Sequence, residues 1–385
     1  MNAGAPGQSY ASLSGQPLAD ILRLLRTPSI GPITFFHLLK RFGTAGNALA
    51  ALPELSKKGG RAKPLIAAAP EQIAAEIEAT DHFGARFILY GDPDYPTLLA
   101  QLTDAPPVLT ALGDSQLWQS GTPLIAMVGA RNASANGCQF SAQLARGLGS
   151  RGVVVVSGMA RGIDAYAHRG SLATGTVAVI AGGIDNIYPP QNATLYNEIR
   201  ERGAILSEQP FGQLPFTGSF PGRNRIIAGM TLGTVVVEAS PKSGSLITAR
   251  MAVENNRDVF AVPGSPMDPR ARGCNQLIRQ GAVMVENADD ILQALHCEPS
   301  GMSEAIMPNA FESAATSPDD GALAEIRAQA IEKLSTTPVL IDELIEQCQT
   351  TATVMLTILL ELELAGRVKR TAGNKVSLIP REEVA

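Results

Sequence analysis

The segment GVVVVSGMARGIDAYAHRG, Gly152 to Gly170, constrains this chain most. Val153 to Val156 form a run with no polar alternation, the pattern of a strand buried on both faces of a parallel sheet. Ser157 and Gly158 end the run, and Gly162 lets the backbone pass close to a neighbour. A helix then begins, with Asp164 and His168 four residues apart and therefore on one face. The same grammar recurs on both sides. Leu124 to Val128 ends in Gly129-Ala130-Arg131-Asn132, and Val177 to Ile180 ends in Ala181-Gly182-Gly183-Ile184-Asp185. Val235 to Val237 ends in Glu238 and reaches Ser243-Gly244-Ser245, while Val259 to Val262 ends in Pro263-Gly264. Strands of this kind with helical segments between them predict an α/β domain, a Rossmann-like doubly wound parallel sheet. Ligands of such sheets collect at the carboxyl ends of the strands, so the turn residues are where function is sought.

The flanks read differently. Residues 1–15 have neither a basic stretch nor an apolar one, so no signal peptide is expected and a disordered lead-in is. Over 16–83, Leu18 to Leu25 and Thr34 to Phe42 read as short amphipathic helices joined through Ser29-Ile30-Gly31-Pro32. That join resembles a helix-hairpin-helix, or SAM-like, turn that offers backbone N–H groups to a phosphate, with Ser29 where the motif has its first glycine. A small packing bundle is the other reading. Arg86 to Tyr90 and Val108 to Leu112 look like edge strands of an extended Rossmann domain over 84–296. Residues 297–320 turn to Ser, Pro, Met, Glu and Ala without periodicity and read as a linker. From 321 to 385 the order helix, helix, helix, hairpin is a winged helix. Leu340-Ile341 with Leu344-Ile345 reads as one helix, and Thr350 to Ala365 as the third. That third helix offers Glu361 and Glu363 and no Lys or Arg, which argues for a protein-contact module over a reader of duplex DNA.

Charge is distributed unevenly. The net charge is −5, yet residues 16–65 carry +6 and residues 123–296 carry +3, balanced by −7 over 66–122 and −7 over 297–385. A polyanion would meet the two basic blocks. Four cysteines stand far apart in a chain of 385 residues, which argues against a zinc site and a disulfide framework and fits a reducing, cytoplasmic setting. No apolar run approaches the ~20 residues of a membrane span.

Gly-x-Gly-x-x-Gly and Gly-x4-Gly-Lys-Ser/Thr are both absent, which removes the nicotinamide and Walker readings. What remains is a row of anion-friendly turns: Gly129 and Arg131; Ser157, Gly158, Arg161 and Gly162; Arg223, Asn224 and Arg225; and Ser243, Gly244 and Ser245 opening a helix. The arginines stand in loops or at helix starts, where truncation is expected to cost little stability. Phe211, Phe216 and Phe220 cluster in one Gly/Pro-rich loop; beside arginines a phenylalanine either stacks on an unpaired base or fills an apolar hole. Asp164 and His168 are either an acid/base pair or ties between the helix and a neighbouring loop.

The motifs SGMARGIDAYAH (Ser157 to His168), AGGIDNIYPPQN (Ala181 to Asn192), SEQPFG (Ser207 to Gly212), FPGRNRIIAG (Phe220 to Gly229), VEASPKSGSLITA (Val237 to Ala249), AVPG (Ala261 to Gly264) and GCNQLIRQGA (Gly273 to Ala282) resemble, in order and spacing, those of the DNA-processing protein A family. The resemblance implies a protein that binds incoming single-stranded DNA in natural transformation and loads the recombinase RecA on it. It implies a homodimer without metal or nucleotide cofactor and not an enzyme, and the lack of a long apolar run adds the expectation of no membrane partner. Arg131, Phe220, Arg223 and Arg225 would form the strand pocket, with Gly158 and Gly244 lining it. The alternative is a nucleoside-monophosphate phosphoribohydrolase-like enzyme of similar fold. Its Pro-Gly-Gly-x-Gly-Thr loop survives here only as Gly233-Thr234, with Glu238 displaced by one position.

Overall fold

The computed structural model describes residues 10–60, 63–296, 320–335, 338–371 and 374–379. They form two compact units, one of residues 10–14 and 74–296, the other of 15–73 and 320–379. Apart from Asp320, the segment read as a linker lies outside the described residues, as do residues 1–9 of the lead-in.

Four helices open the chain: α1 (Leu18–Leu25), α2 (Pro32–Phe42), α3 (Ala45–Lys58) and α4 (Pro70–His82). The first bury Ile21, Leu22, Leu24, Phe35, Phe36, Leu38 and Leu39. Pro32 starts α2 at its first turn, where a missing N–H costs nothing. Ser29 takes φ 68, a left-handed conformation that glycine adopts without strain.

Nine strands form the large sheet: β1 (Arg86–Leu89), β2 (Val108–Gly113), β3 (Leu124–Gly129), β4 (Val154–Ser157), β5 (Thr176–Val179), β6 (Ala204–Ser207), β7 (Gly233–Val237), β8 (Asp258–Ala261) and β9 (Val283–Met284). Their order is β1-β2-β6-β5-β4-β3-β7-β8-β9. From β6 to β9 all neighbours are parallel, and β2 and β1 continue the sheet antiparallel beyond β6. The doubly wound sheet and its added edge strands are therefore as the sequence predicts. The intervening helices are α5 (Ala135–Gly149), α6 (Ile163–Ser171), α7 (Ala193–Arg202), α8 (Ser219–Gly229), α9 (Gly244–Glu254), α10 (Arg272–Arg279) and α11 (Ala288–His296). Right-handed crossovers put α5 to α7 on one face as the chain steps from β3 outward to β6, and α8 to α10 on the other as it steps from β6 across to β9; α11, after the last strand, returns to the first face and packs beside α5. On the first face Ile125, Met127, Val155, Leu144, Leu148, Ile163 and Ala167 share one core. The direction of winding reverses at β3, which lies between β4 and β7.

Two local readings are corrected. Residues 10–14 are tied to the α/β unit rather than part of a disordered lead-in: Leu13 is buried and its N–H donates to Tyr90 O at 2.9 Å, and Tyr10 Oη donates to Thr103 O at 2.6 Å. In the second unit α12 (Asp320–Lys333), β10 (Val339–Leu340), α13 (Ile341–Gln347), α14 (Ala352–Leu364), β11 (Val368–Thr371) and β12 (Lys375–Leu378) form the winged helix. Leu340 belongs to its first strand, which pairs with β12, and not to the following helix. Among the described residues no helix is long and apolar enough to cross a membrane.

Helices α5 and α6 touch backbone to side: a Cβ on Gly170 would stand 2.3 Å from Ala142 O. Gly170→Ala is expected to force the two helices apart and lower stability by about 1–3 kcal/mol, measured by urea denaturation.

Candidate functional site

The reversal at β3 opens a cleft at the carboxyl ends of β3, β4, β5 and β7, as doubly wound sheets require. The loop after β4 shapes its floor. Gly162 has φ 74, and a side chain there would meet Ala130 O at 2.3 Å, so only glycine lets this loop lie on the one after β3. Asn192 holds the loop from the far side, its Nδ2 donating to Met159 O at 2.7 Å and Ala160 O at 3.3 Å.

Arg223, on α8, is buried under this floor. Its Nη1 donates to Gly158 O and, at 3.0 Å, to Val179 O, and its Nε donates to Asn224 Oδ1 at 3.0 Å. A Cβ on Gly158 would overlap the guanidinium, which explains the glycine. Asp164 lies beside them and accepts from Ala160 N–H at 3.3 Å. Burial pushes its carboxyl upward against the pull of Arg223, and burial likewise pulls the guanidinium downward.

The rim is different. Arg131 and Arg161 are exposed and have no ion-pair partner among the described residues. Arg131 Cζ stands 5.2 Å from the centre of the Phe220 ring, and Tyr188, 48% exposed, stands 5.8 Å from that ring on its other contact. Two adjoining cavities of about 280 and 540 Å³ share Arg131, Ala160, Phe220 and Arg223. Gly158, Arg161 and Tyr188 line the smaller; Gly129, Asn224, Ser243, Gly244 and Ser245 line the larger. Ser243 caps α9, and its hydroxyl lies 2.7 Å from that of Ser245. Free arginines, a helix start and an aromatic face together suit a ligand with phosphates and a flat ring.

Several residues read as site members stand elsewhere. Arg225 pairs with Glu208 at 2.5 Å and Asp104 at 3.5 Å and lines neither cavity. Ser157 is buried and donates to Met127 O at 2.6 Å. Gly162 shapes the floor without lining it. Phe211 packs on Phe83, 5.7 Å between centres, filling a hole, and Phe216 is exposed. Tyr188 and Asn192 were not singled out from sequence; the signal was an aromatic before Pro189-Pro190 in a loop at a strand end.

The truncation of Arg223 was expected to be harmless, and the geometry says otherwise. Arg223→Ala strands two carbonyls and the Asp164 carboxyl, so the loss of stability is expected at roughly 2–4 kcal/mol, read as a lower urea midpoint.

Asp164 and His168 do not form an acid/base pair. His168 Nδ1 lies 2.8 Å from the Thr176 hydroxyl, and burial drives the ring's pKa down to about 3. The unfolded chain binds the proton near 6.5, so stability is full above that pH and falls as pH drops toward 3. At pH 5 the loss from this one group is about 2 kcal/mol. His168→Gln should flatten that limb of stability against pH. Glu238, the residue the phosphoribohydrolase reading would need, accepts from the backbone N–H of Ser134 at 2.8 Å and from its hydroxyl, at the start of α5.

An α/β domain with a phosphate- and ring-suited cleft at its winding reversal, carried with a helical segment and a winged helix, defines the class. Residues 86–296 match the family model described as DNA recombination-mediator protein A, residues 16–79 the DprA-like N-terminal HHH domain, and residues 313–374 the DprA winged helix domain. Protein Smf of Synechocystis is 38% identical over 296 residues, covering 72% of this chain and 73% of that protein. The crystal structure of DNA processing protein A from Streptococcus pneumoniae superposes with a TM-score of 0.62 at 31% identity, over 72% of this chain and 98% of that one. DNA processing protein A from Helicobacter pylori, solved for its single-stranded DNA binding mode, superposes with a TM-score of 0.51 at 30% identity, over 56% of this chain and 96% of that one. The chain belongs to the DNA recombination-mediator protein A family.

Proposed function

We propose that the cleft binds single-stranded DNA and that the protein is a recombination mediator, not an enzyme. The observation that carries this reading is the exposed Arg131 guanidinium over the Phe220 ring. A phosphate meets Arg131, Arg161 and the start of α9, and an unpaired base meets Phe220 and Tyr188. The H. pylori relative, described as binding single-stranded DNA, supports the same use of the same fold. Glu238, held at the start of α5, supports a non-catalytic role. In this reading the bound strand is passed to RecA in natural transformation or recombination, by a homodimer whose two clefts raise affinity along one strand without new contacts. The acidic third helix of the wing offers phosphates nothing, so duplex binding is not its use.

The test is binding of single-stranded and duplex oligonucleotides over a salt series. Tighter binding to the single strand is expected, with affinity falling steeply as salt rises. Arg131→Ala and Phe220→Ala should each weaken it at least about fivefold, with the urea midpoint near that of the parent, since neither side chain holds the floor. Equal or tighter binding to duplex of the same length would sink the reading. Relief of RecA filament assembly on a strand coated with single-strand-binding protein, lost in Arg131→Ala, tests the mediator step.

A further inference from the structure

Beyond the cleft, the exposed face of α6 is unusual. The helix buries Ile163, Asp164, Ala165, Ala167, His168, Gly170 and Ser171 and leaves Tyr166 and Arg169 outside. Arg169 Cζ lies 5.0 Å from the centre of the Tyr166 ring. No carboxylate among the described residues pairs with Arg169, and Tyr166 is 36% exposed. A surface arginine with an acidic neighbour is held by it; here the neighbour is an aromatic face.

The two helices that carry this face bring little acid of their own, and a carboxylate near it, Glu238 after β7, is engaged by Ser134 at the start of α5. Helices α5 and α6, 15 and 9 residues long, hold one carboxylate between them, and it is the buried Asp164. The close approach of Gly170 to Ala142 packs the two helices tightly side by side, so that their outer faces adjoin as a ledge. The ledge begins at the cleft. Arg161 at the rim immediately precedes Gly162, whose carbonyl accepts from Tyr166 N–H at 3.2 Å. From Gly162, Arg169 is seven residues along, roughly 10 Å at the helical rise.

We propose that a single strand leaving the cleft continues over this ledge, with Tyr166 stacking on a base and Arg169 meeting a phosphate. The proposal rests on the reading of the cleft as a single-strand site and extends its footprint. Stacking on an exposed ring tolerates any base, and a guanidinium already lying against that ring is positioned for the adjoining phosphate. The ledge is therefore a non-specific contact that only strands longer than the cleft can reach.

The experiment compares the full chain with the double variant Tyr166→Ala, Arg169→Ala and with Arg169→Glu, using a labelled thymidine tetramer and a thymidine 20-mer. The variants are expected to bind the tetramer as the parent does and the 20-mer at least about fivefold more weakly. The slope of log affinity against log salt for the 20-mer should shrink by about 0.7 for the one lost phosphate contact. Arg169→Lys should restore the slope. Unchanged affinity and slope on the 20-mer overturn the ledge. An equal loss on both lengths also overturns it, because the pair then acts within the cleft. If the parent binds neither oligonucleotide, the reading of the cleft itself has failed, a result distinct from either.

Discussion

The site depends on one buried guanidinium. Arg223 comes up from α8 and holds two carbonyls that belong to different strand ends, Gly158 after β4 and Val179 in β5. A lysine carries one cationic point and could not span them in this way; the planar fork of arginine does. Its charge is poorly solvated there, and the Asp164 carboxyl beside it offsets that cost. The glycine at 158 follows from the guanidinium, the glycine at 162 from the neighbouring loop, and the Asn192 amide from the carbonyls that this path turns outward. The floor is thus held by hydrogen bonds within the protein itself, and a preformed site spends less of its binding energy on ordering.

Two kinds of arginine stand near the strand ends of the α/β unit, distinguished by what they touch. Arg223 and Arg225 are committed inward, the first to carbonyls and the second to Glu208 and Asp104, where it fastens the segment after β1 and the end of β6 to α8. Arg131, Arg161 and Arg169 point outward without carboxylate partners, two of them against aromatic rings. A phosphate competes poorly for a guanidinium already paired in a buried ion pair and well for one resting on a ring. The net charge of −5 therefore says little about binding; the cations without carboxylate partners at the cleft, Arg131 and Arg161, say more.

Much of this architecture was legible in the sequence, for reasons that also explain what was not. Runs such as Leu124 to Val128, ended by Gly129, and Val153 to Val156, ended by Ser157-Gly158, read as buried parallel strands. Strand β6, Ala204 to Ser207, has one β-branched residue, Ile205, where the equally short β4 has a run of valines, so it does not stand out beside its helix, and β9 has two residues. Residues at strand ends marked the cleft correctly, because topology alone puts ligands there. What each arginine does was not legible: Arg223 and Arg225 stand two apart in one motif, yet their partners come from positions 158, 179, 104 and 208. Side-chain commitment is set by long-range packing, and the local sequence does not carry it.

The second unit makes the same point with the signs reversed. The acidic residues of α14 suggested a helix with carboxylates to offer a partner. Glu361 is instead buried against Arg327, and Glu363 pairs with Arg370 at 3.4 Å. Arg370 also donates to Leu356 O at 3.2 Å and lies 3.1 Å from His37 of α2, whose ring burial drives to a pKa of about 4. A neutral imidazole beside a buried guanidinium avoids a second positive charge there. The helix that a DNA-reading wing would present to a groove thus has its charged residues turned into the interior that the wing shares with the first helices of the chain. Its acidity is internal compensation for the arginines that pack against it.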